Sequence, residues 1–275
     1  MEQARQLMDI KKGMINGGLT KVRSIAITSG KGGVGKTNVV VNLALSLARR
    51  KVRVAILDAD YGLGNIDILL GIEPGKDIAD LLNEKAGLED IIVKKDGMLI
   101  IPATSGIQSL TRLTPRQETI LHREMAKLEQ MADLLIIDTA AGISDNVISL
   151  LLVADEVFLV VSTEPTSIVD AYAVVKVVGG IDAFKNFAVI ANQVKNQEEA
   201  DEVFRKISIA TRRFLNKDIT SFGSVHYDRM LTEAVRAQKA VCELFPESRS
   251  ARDFDKLART LLNRVYLRAE RSRRP

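Results

Sequence analysis

Residues 24–37 read SIAITSGKGGVGKT: a short apolar run, Ser24 to Ser29, passes without a break into Gly30-Lys31-Gly32-Gly33-Val34-Gly35-Lys36-Thr37. Asn38 opens the helical pattern NVVVNLALSLARR directly behind it. A glycine-rich loop with a strand before it and a helix after it is the context a P-loop requires. Glycines let the backbone turn with its N–H groups inward, so that these donors and the positive end of the helix surround a phosphate. In that frame Lys36 supplies a point charge to β- and γ-phosphates, and the Thr37 hydroxyl is placed to ligate Mg²⁺.

Away from this loop the chain keeps one rhythm. Short apolar runs at Ile25–Ser29, Val52–Asp58, Met98–Pro102, Leu134–Asp138, Val157–Ser162, Phe187–Asn192 and Ser221–Val225 alternate with helical patterns. The helices are expected at Lys36–Arg50, Thr114–Met131, Ser144–Val153, Ile168–Val178, Glu198–Leu215 and Leu231–Ala237. This alternation predicts an α/β fold, a P-loop NTPase with a mostly parallel central sheet and helices on both faces. Runs such as VAILD, LLIID and VFLVV are apolar on both faces and belong inside such a sheet. No internal repeat or linker rich in Pro, Gly and Ser is visible, so residues 24–249 read as one domain, flanked by segments 1–23 and 250–275.

Carboxylates complete a nucleotide site. Asp138 ends LLIID, where an aspartate would accept hydrogen bonds from Mg²⁺-bound water. Asp58 ends AILD and Asp60 follows two residues later, both at the C-terminal edge of the sheet, where open α/β folds bind ligands. Thr37, Asp58 and Asp138 are the expected metal ligands. No Ser/His/Asp or Cys/His constellation suggests itself, and neither His122 nor His226 looks catalytic, so the chemistry rests on positioning and Mg²⁺.

Composition narrows the partners. The 275 residues are 46% hydrophobic and carry a net charge of +4, with +3 in residues 1–23 and +5 in residues 251–275, which leaves −4 over residues 24–250. A body of that charge is not built to hold nucleic acid, so DNA is not the expected cargo. The single cysteine, Cys242, excludes an intramolecular disulfide and a four-cysteine metal site, and a reducing cytoplasm is the simplest compartment. The opening MEQARQLMDIKK lacks the apolar stretch of a signal peptide, and the longest apolar run, residues 147–161, is broken by Asp155 and Glu156. Any membrane attachment is therefore expected to be peripheral.

One helical face in the last segment gathers Phe254, Leu257, Ala258, Leu261, Leu262 and Val265, with Lys256, Arg259, Asn263, Arg264 and Arg271 outside it. A basic amphipathic helix suits an anionic bilayer surface. The competing reading is a terminal helix packed on the body.

Lys31, directly after the first glycine, makes the loop KGGVGKT resemble the deviant Walker A pattern of the MinD/ParA/nitrogenase-iron-protein family of SIMIBI ATPases. The resemblance spans about residues 22–245. It implies ATP and Mg²⁺ as ligands, an ATP-bound homodimer, and a Lys31 that reaches the nucleotide of the partner. It further implies that Asp60 polarises the attacking water, that Asp58 lies near Mg²⁺, that Asp138-Thr139-Ala140-Ala141-Gly142 forms the Walker-B and switch II segment, and that Asn192 recognises adenine.

The leader refines this. Glu2-Gln3-Ala4 followed by Leu7 resembles the DQAxxL motif of the FlhG (FleN, YlxH) branch, with Glu for Asp and with Met8 where a basic residue often follows. The run Ala234–Val241 after Tyr227-Asp228 is also similar to that branch, with Ala240 in place of a frequent proline. The branch implies control of flagellar placement and number, stimulation of the FlhF GTPase by the leader, contact with flagellar C-ring proteins, and residence on the cytoplasmic face of the membrane when ATP is bound. The alternatives are a MinD-type division-site ATPase and a ParA-type DNA partition ATPase. An iron–sulfur carrier would need at least one more cysteine.

Overall fold

The strands are apolar on both sides because helices cover both sides of the sheet they form. The computed structural model describes residues 23–60, 65–102 and 114–272, without the side chains of residues 65, 118, 122 and 265–272. Its first unit is β1 (Arg23–Thr28), the glycine loop and α1 (Lys36–Ala48). Next come β2 (Val54–Ala59), the short helices α2 (Asn65–Leu70), α3 (Ile78–Leu82) and α4 (Leu88–Ile91), then β3 (Val93–Lys95) and β4 (Met98–Pro102). The chain continues through α5 (Pro115–Met131), β5 (Leu134–Thr139), α6 (Asp145–Val153), β6 (Glu156–Val161), α7 (Pro165–Ile181), β7 (Asn186–Val194), α8 (Gln197–Leu215) and β8 (Thr220–His226). It closes with α9 (Arg229–Arg236), α10 (Val241–Leu244) and α11 (Arg249–Ser272).

The eight strands lie in the order β3-β4-β2-β5-β1-β6-β7-β8, and every pairing is parallel except β3 with β4. Alternate residues of one strand serve two cores. The alternation is plain in β5, where Leu134 and Ile136 join α1, α2 and α11 on one face, while Leu135 and Ile137 join α5, α6, α7 and α8 on the other. Local chemistry sets the helix ends. Thr114 caps α5 by accepting from the Gln117 N–H at 3.3 Å, Gln117 answers by accepting from the Thr114 N–H at 3.0 Å, and Pro115 fills the first turn.

The sequence reading omits β3. It pairs antiparallel with β4 through Asp96 and Gly97, both at positive φ (50° and 78°), the conformation a tight hairpin turn selects.

The last helix is part of the body. Phe254, Leu257, Ala258 and Leu261 are buried in the core shared with α1 and β8, and Leu262 packs partly buried beside them. Polar latches flank that seam. Ser250 donates from its N–H (2.9 Å) and hydroxyl (2.8 Å) to Asp228, and Asp253 accepts from the His226 N–H at 2.9 Å with the His226 Nδ1 at 2.8 Å. Arg50 pairs with Asp255. At the far end the Arg264 guanidinium lies 3.5 Å from Glu156, donates to the Ser221 carbonyl at 2.9 Å and sits 4.9 Å from the centroid of Phe222. In this docked state protein, not lipid, covers Phe254, Leu257, Leu261 and Leu262, and burying each large apolar side chain stabilises by roughly 1.5–3 kcal/mol. The side chain of Val265 and the leader residues Glu2, Gln3 and Ala4 lie outside the described residues. Among the described residues no helix is long and apolar enough to cross a membrane.

If α11 is structural, truncating its central anchor must be costly. Phe254→Ala is expected to lower the unfolding free energy by about 3–5 kcal/mol, read from urea denaturation. A loss below the error of that measurement would show that the helix contributes nothing to the core.

Candidate nucleotide-binding site

Strand register assembles the site. Ile27 of β1 stands opposite Asp138 of β5, and Asp138 stands opposite Asp58 of β2. The glycine loop and both carboxylates therefore leave the sheet side by side at its C-terminal edge, the crevice in which open parallel sheets bind ligands.

The loop itself is wedged in place. Gly35 caps α1 at φ +88°, and a Cβ there would stand 2.5 Å from Nδ2 of Asn192. A Cβ on Gly30 would stand 2.2 Å from the carbonyl carbon of Asp170 in α7. Hydrogen bonds fix what sterics allow: Asn192 Nδ2 donates to the Val34 carbonyl at 2.7 Å, the Gly142 N–H to the Ser29 carbonyl at 2.8 Å, and the Ser29 hydroxyl to the Lys31 carbonyl at 2.7 Å. Gly32 and Gly33 remain exposed, while the Val34 side chain is buried in the core, so Val34 offers a ligand only its backbone.

Burial gives the carboxylates unusual acidity. Asp138 is fully buried, and loss of water pushes its pKa up to about 7 against the pull of the Lys36 charge and the nearby Thr37 hydroxyl, with Asp58 adding to the rise. Burial likewise lifts Asp58 to about 6, although the Asp60 and Ile66 N–H groups donate to it at 3.5 and 3.4 Å. Lys36, only 7% exposed, holds its ammonium 3.9 Å from Asp60. Among the described residues, neither oxygen of Asp138 and neither of the side-chain carbonyl oxygens of Asn38 and Asn192 makes a well-formed hydrogen bond. Buried acceptors without donors are rare and point to an occupant that brings positive charge or N–H groups.

Mg²⁺ bound through phosphate fits this donor set. Among the described residues no group of three or more His, Cys, Asp and Glu could hold a metal ion unaided. Mg²⁺ keeps several of its waters and takes one or two carboxylates plus phosphate oxygens, which matches the sparse set of two carboxylates, Asp58 and Asp138, beside the Thr37 hydroxyl.

The structure thus brings together Gly30 to Asn38, Asp58, Asp60 and Asp138, and it ties Asn192 to the loop rather than leaving it open to solvent. Lys31 behaves differently from Lys36. Its ammonium points along the surface to Glu164, with the Thr166 hydroxyl 3.4 Å away. Glu164 and Thr166 are absent from the sequence reading, which begins that helix at Ile168; Pro165 at the first helical position was the available signal. Cys242 is buried with its thiol pushed up to about 11, and His226 is engaged with Asp253, so neither joins the site.

Known proteins resemble this chain along most of its length. The family model described as ParA, NUBPL iron-transfer P-loop NTPase, matches residues 21–262. The antiactivator FleN of Pseudomonas aeruginosa is 43% identical over 243 residues, covering 88% of this chain and 87% of that protein. The flagellum site-determining protein YlxH of Helicobacter pylori is 31% identical over 252 residues, covering 91% and 84%. Among solved structures, the septum site-determining protein MinD of Pyrococcus horikoshii, complexed with Mg-ADP, superposes with a TM-score of 0.69 at 26% identity, covering 86% of this chain and 94% of that one.

The raised carboxyls make a signed prediction. A carboxyl whose folded pKa lies above its unfolded value of about 3.9 binds its proton more tightly when folded, so its contribution is most favourable at low pH and is lost as pH rises to about 7. Nucleotide-free protein carrying Asp138→Asn is therefore expected to be more stable than the parent at pH 8 and to lose that advantage by about pH 4–5. Urea denaturation across this range checks it, and parallel profiles for the two proteins would contradict the burial argument.

Proposed function

Because the chain belongs to the ParA/MinD family of P-loop ATPases, and within it to the FleN and YlxH flagellar regulators, we propose that it is an ATP-driven dimerising switch that sets flagellar placement and number. The observation that carries this is a P-loop lysine pair of opposite disposition, Lys36 buried against the acidic site and Lys31 at the surface. One lysine serves the protomer's own nucleotide, and the other is available to a second protomer's.

Each residue has a role in that scheme. The backbone N–H groups of Gly30 to Gly35 and the Lys36 ammonium hold the phosphates of ATP. Thr37, Asp58 and Asp138 would hold Mg²⁺, which would supply charge neutralisation at the phosphates. Asp60 orients and polarises the attacking water, and Asn192 offers its side-chain carbonyl oxygen toward the base. A single aspartate with no covalent step suits slow turnover, as a timer needs.

The resemblance of the leader to the flagellar branch supports the finer partners. Glu2, Gln3 and Ala4 stimulate an FlhF-type GTPase, C-ring proteins are the destination, and the anionic inner face of the membrane is the surface on which they meet. In the docked state of α11 the apolar face is occupied, so membrane contact through Phe254, Leu257, Leu261 and Leu262 requires that helix to leave the body. Iron transfer, part of the family model's description, finds no support in a chain whose one thiol is buried and held protonated.

Lys36→Gln is expected to weaken ATP binding at least about 100-fold, whereas Asp60→Ala keeps ATP affinity and loses about 100-fold in turnover. Calorimetry and phosphate release separate the two, and an Asp60→Ala protein with normal turnover would remove Asp60 from catalysis. Pull-down with FlhF and C-ring proteins, with and without ATP, tests the flagellar assignment. Substituting Glu2 and Gln3 is expected to abolish GTPase stimulation and spare ATPase activity.

A further inference from the structure

β1 and β6 are adjacent and parallel, with Thr28 opposite Leu159, so the loops that follow them lie side by side at one edge of the sheet. Lys31 and Glu164 sit in those two loops. Their side chains form an ion pair, and the Thr166 hydroxyl is 3.4 Å from the same ammonium. The backbone holds the two loops together independently of that pair. Asp170, in the second turn of α7, touches the place a Cβ would take on Gly30, and within the second loop itself the Ser162 N–H donates to the Ser167 hydroxyl at 3.1 Å. Glu164 is also the N-cap residue of α7, yet its carboxylate makes no capping bond with its own helix. It is turned to the lysine instead.

We propose that Glu164 is a positioning residue that holds Lys31 in its own protomer until pairing. The inference rests on the ATP-driven dimer proposed above. An unpaired protomer then has its surface lysine neutralised and folded back, and each protomer must release it before the ammonium can reach the neighbouring triphosphate. The pair is built to yield. The side chains are 41% and 59% exposed, so water screens the attraction and an equilibrium shifts by no more than about fivefold when such a pair is lost. A triphosphate offers several anionic oxygens in a drier setting and outcompetes one solvated carboxylate. Lys36 differs in each respect: it is buried and faces two aspartates, so it has no comparable alternative position. Glu164 thereby sets how much protein and ATP are needed before pairing begins, with two such ion pairs broken per dimer.

The full chain and Glu164→Gln are compared in two ways. In nucleotide-free protein, brief exposure to a limiting amine-acylating reagent is read by mass spectrometry at the Lys31 peptide, against other exposed lysines. Faster labelling of Lys31 in Glu164→Gln is expected, with Glu164→Asp between the two. In sedimentation with Mg²⁺ and a non-hydrolysable ATP analogue, Glu164→Gln is expected to pair at roughly three- to tenfold lower protein concentration. That gap should close in about 0.5 M KCl, where exposed charges are screened. Equal labelling in the two proteins, or a variant that needs more protein to pair, overturns the proposal. If Lys31 labels faster in the variant but neither protein pairs, the ion pair stands and the ATP-driven dimer falls.

Discussion

The parallel pairing of β1 with β5 is the constraint on which the rest depends. It places Asp138 opposite Ile27, just before the glycine loop, and the next pairing outward places Asp58 opposite Asp138. Two carboxyls are thereby held beside a phosphate cradle in a site too dry to ionise them freely. Among the described residues, Lys36 is the cation that offsets this burial at Asp138. A fold that buries acceptors without donors is less stable alone than with a ligand supplying what is missing, and binding then stabilises the folded state by mass action. On the proposed function, nucleotide and magnesium would in this sense complete the architecture.

The end of the chain is coupled to that centre through β8. Its last residues lead into Asp228, which holds the first turn of α11 through Ser250, and His226 is engaged by Asp253 one turn later. At the opposite ends of the strands Glu156, itself buried, receives Arg23 at 2.8 Å and Arg264 at 3.5 Å. The final helix is thus fastened at both ends of the strands, with an apolar seam between. Releasing it would mean breaking both sets of latches and the seam between them.

Much of this is legible in the sequence, and the reasons differ by residue. The P-loop, Asp58, Asp60 and Asp138 are readable because each lies at or just beyond the end of an apolar run, where strand alternation and edge chemistry are local properties. Asp96-Gly97 carries a hairpin signal for β3 that a three-residue strand otherwise conceals. Glu164 is not readable, because its meeting with Lys31 depends on loops 133 residues apart along the chain becoming neighbours. The amphipathic face of α11 is visible as a face, but periodicity reports only that one side is apolar. Whether protein or lipid covers it is decided by the shape of α1 and β8, which no local pattern encodes.

On the proposed function Lys31 serves the neighbouring protomer. The most direct measurement mixes two impaired proteins, Lys31→Ala and Asp60→Ala, before ATP is added. In a mixed pair the Lys31→Ala protomer keeps its own Asp60 and receives the other's Lys31, so one of the two sites is complete. The account predicts that the mixture recovers up to about a quarter of the parent ATPase rate, as random pairing of two protomers requires. A mixture no faster than the average of its two components would show that Lys31 does not act across an interface.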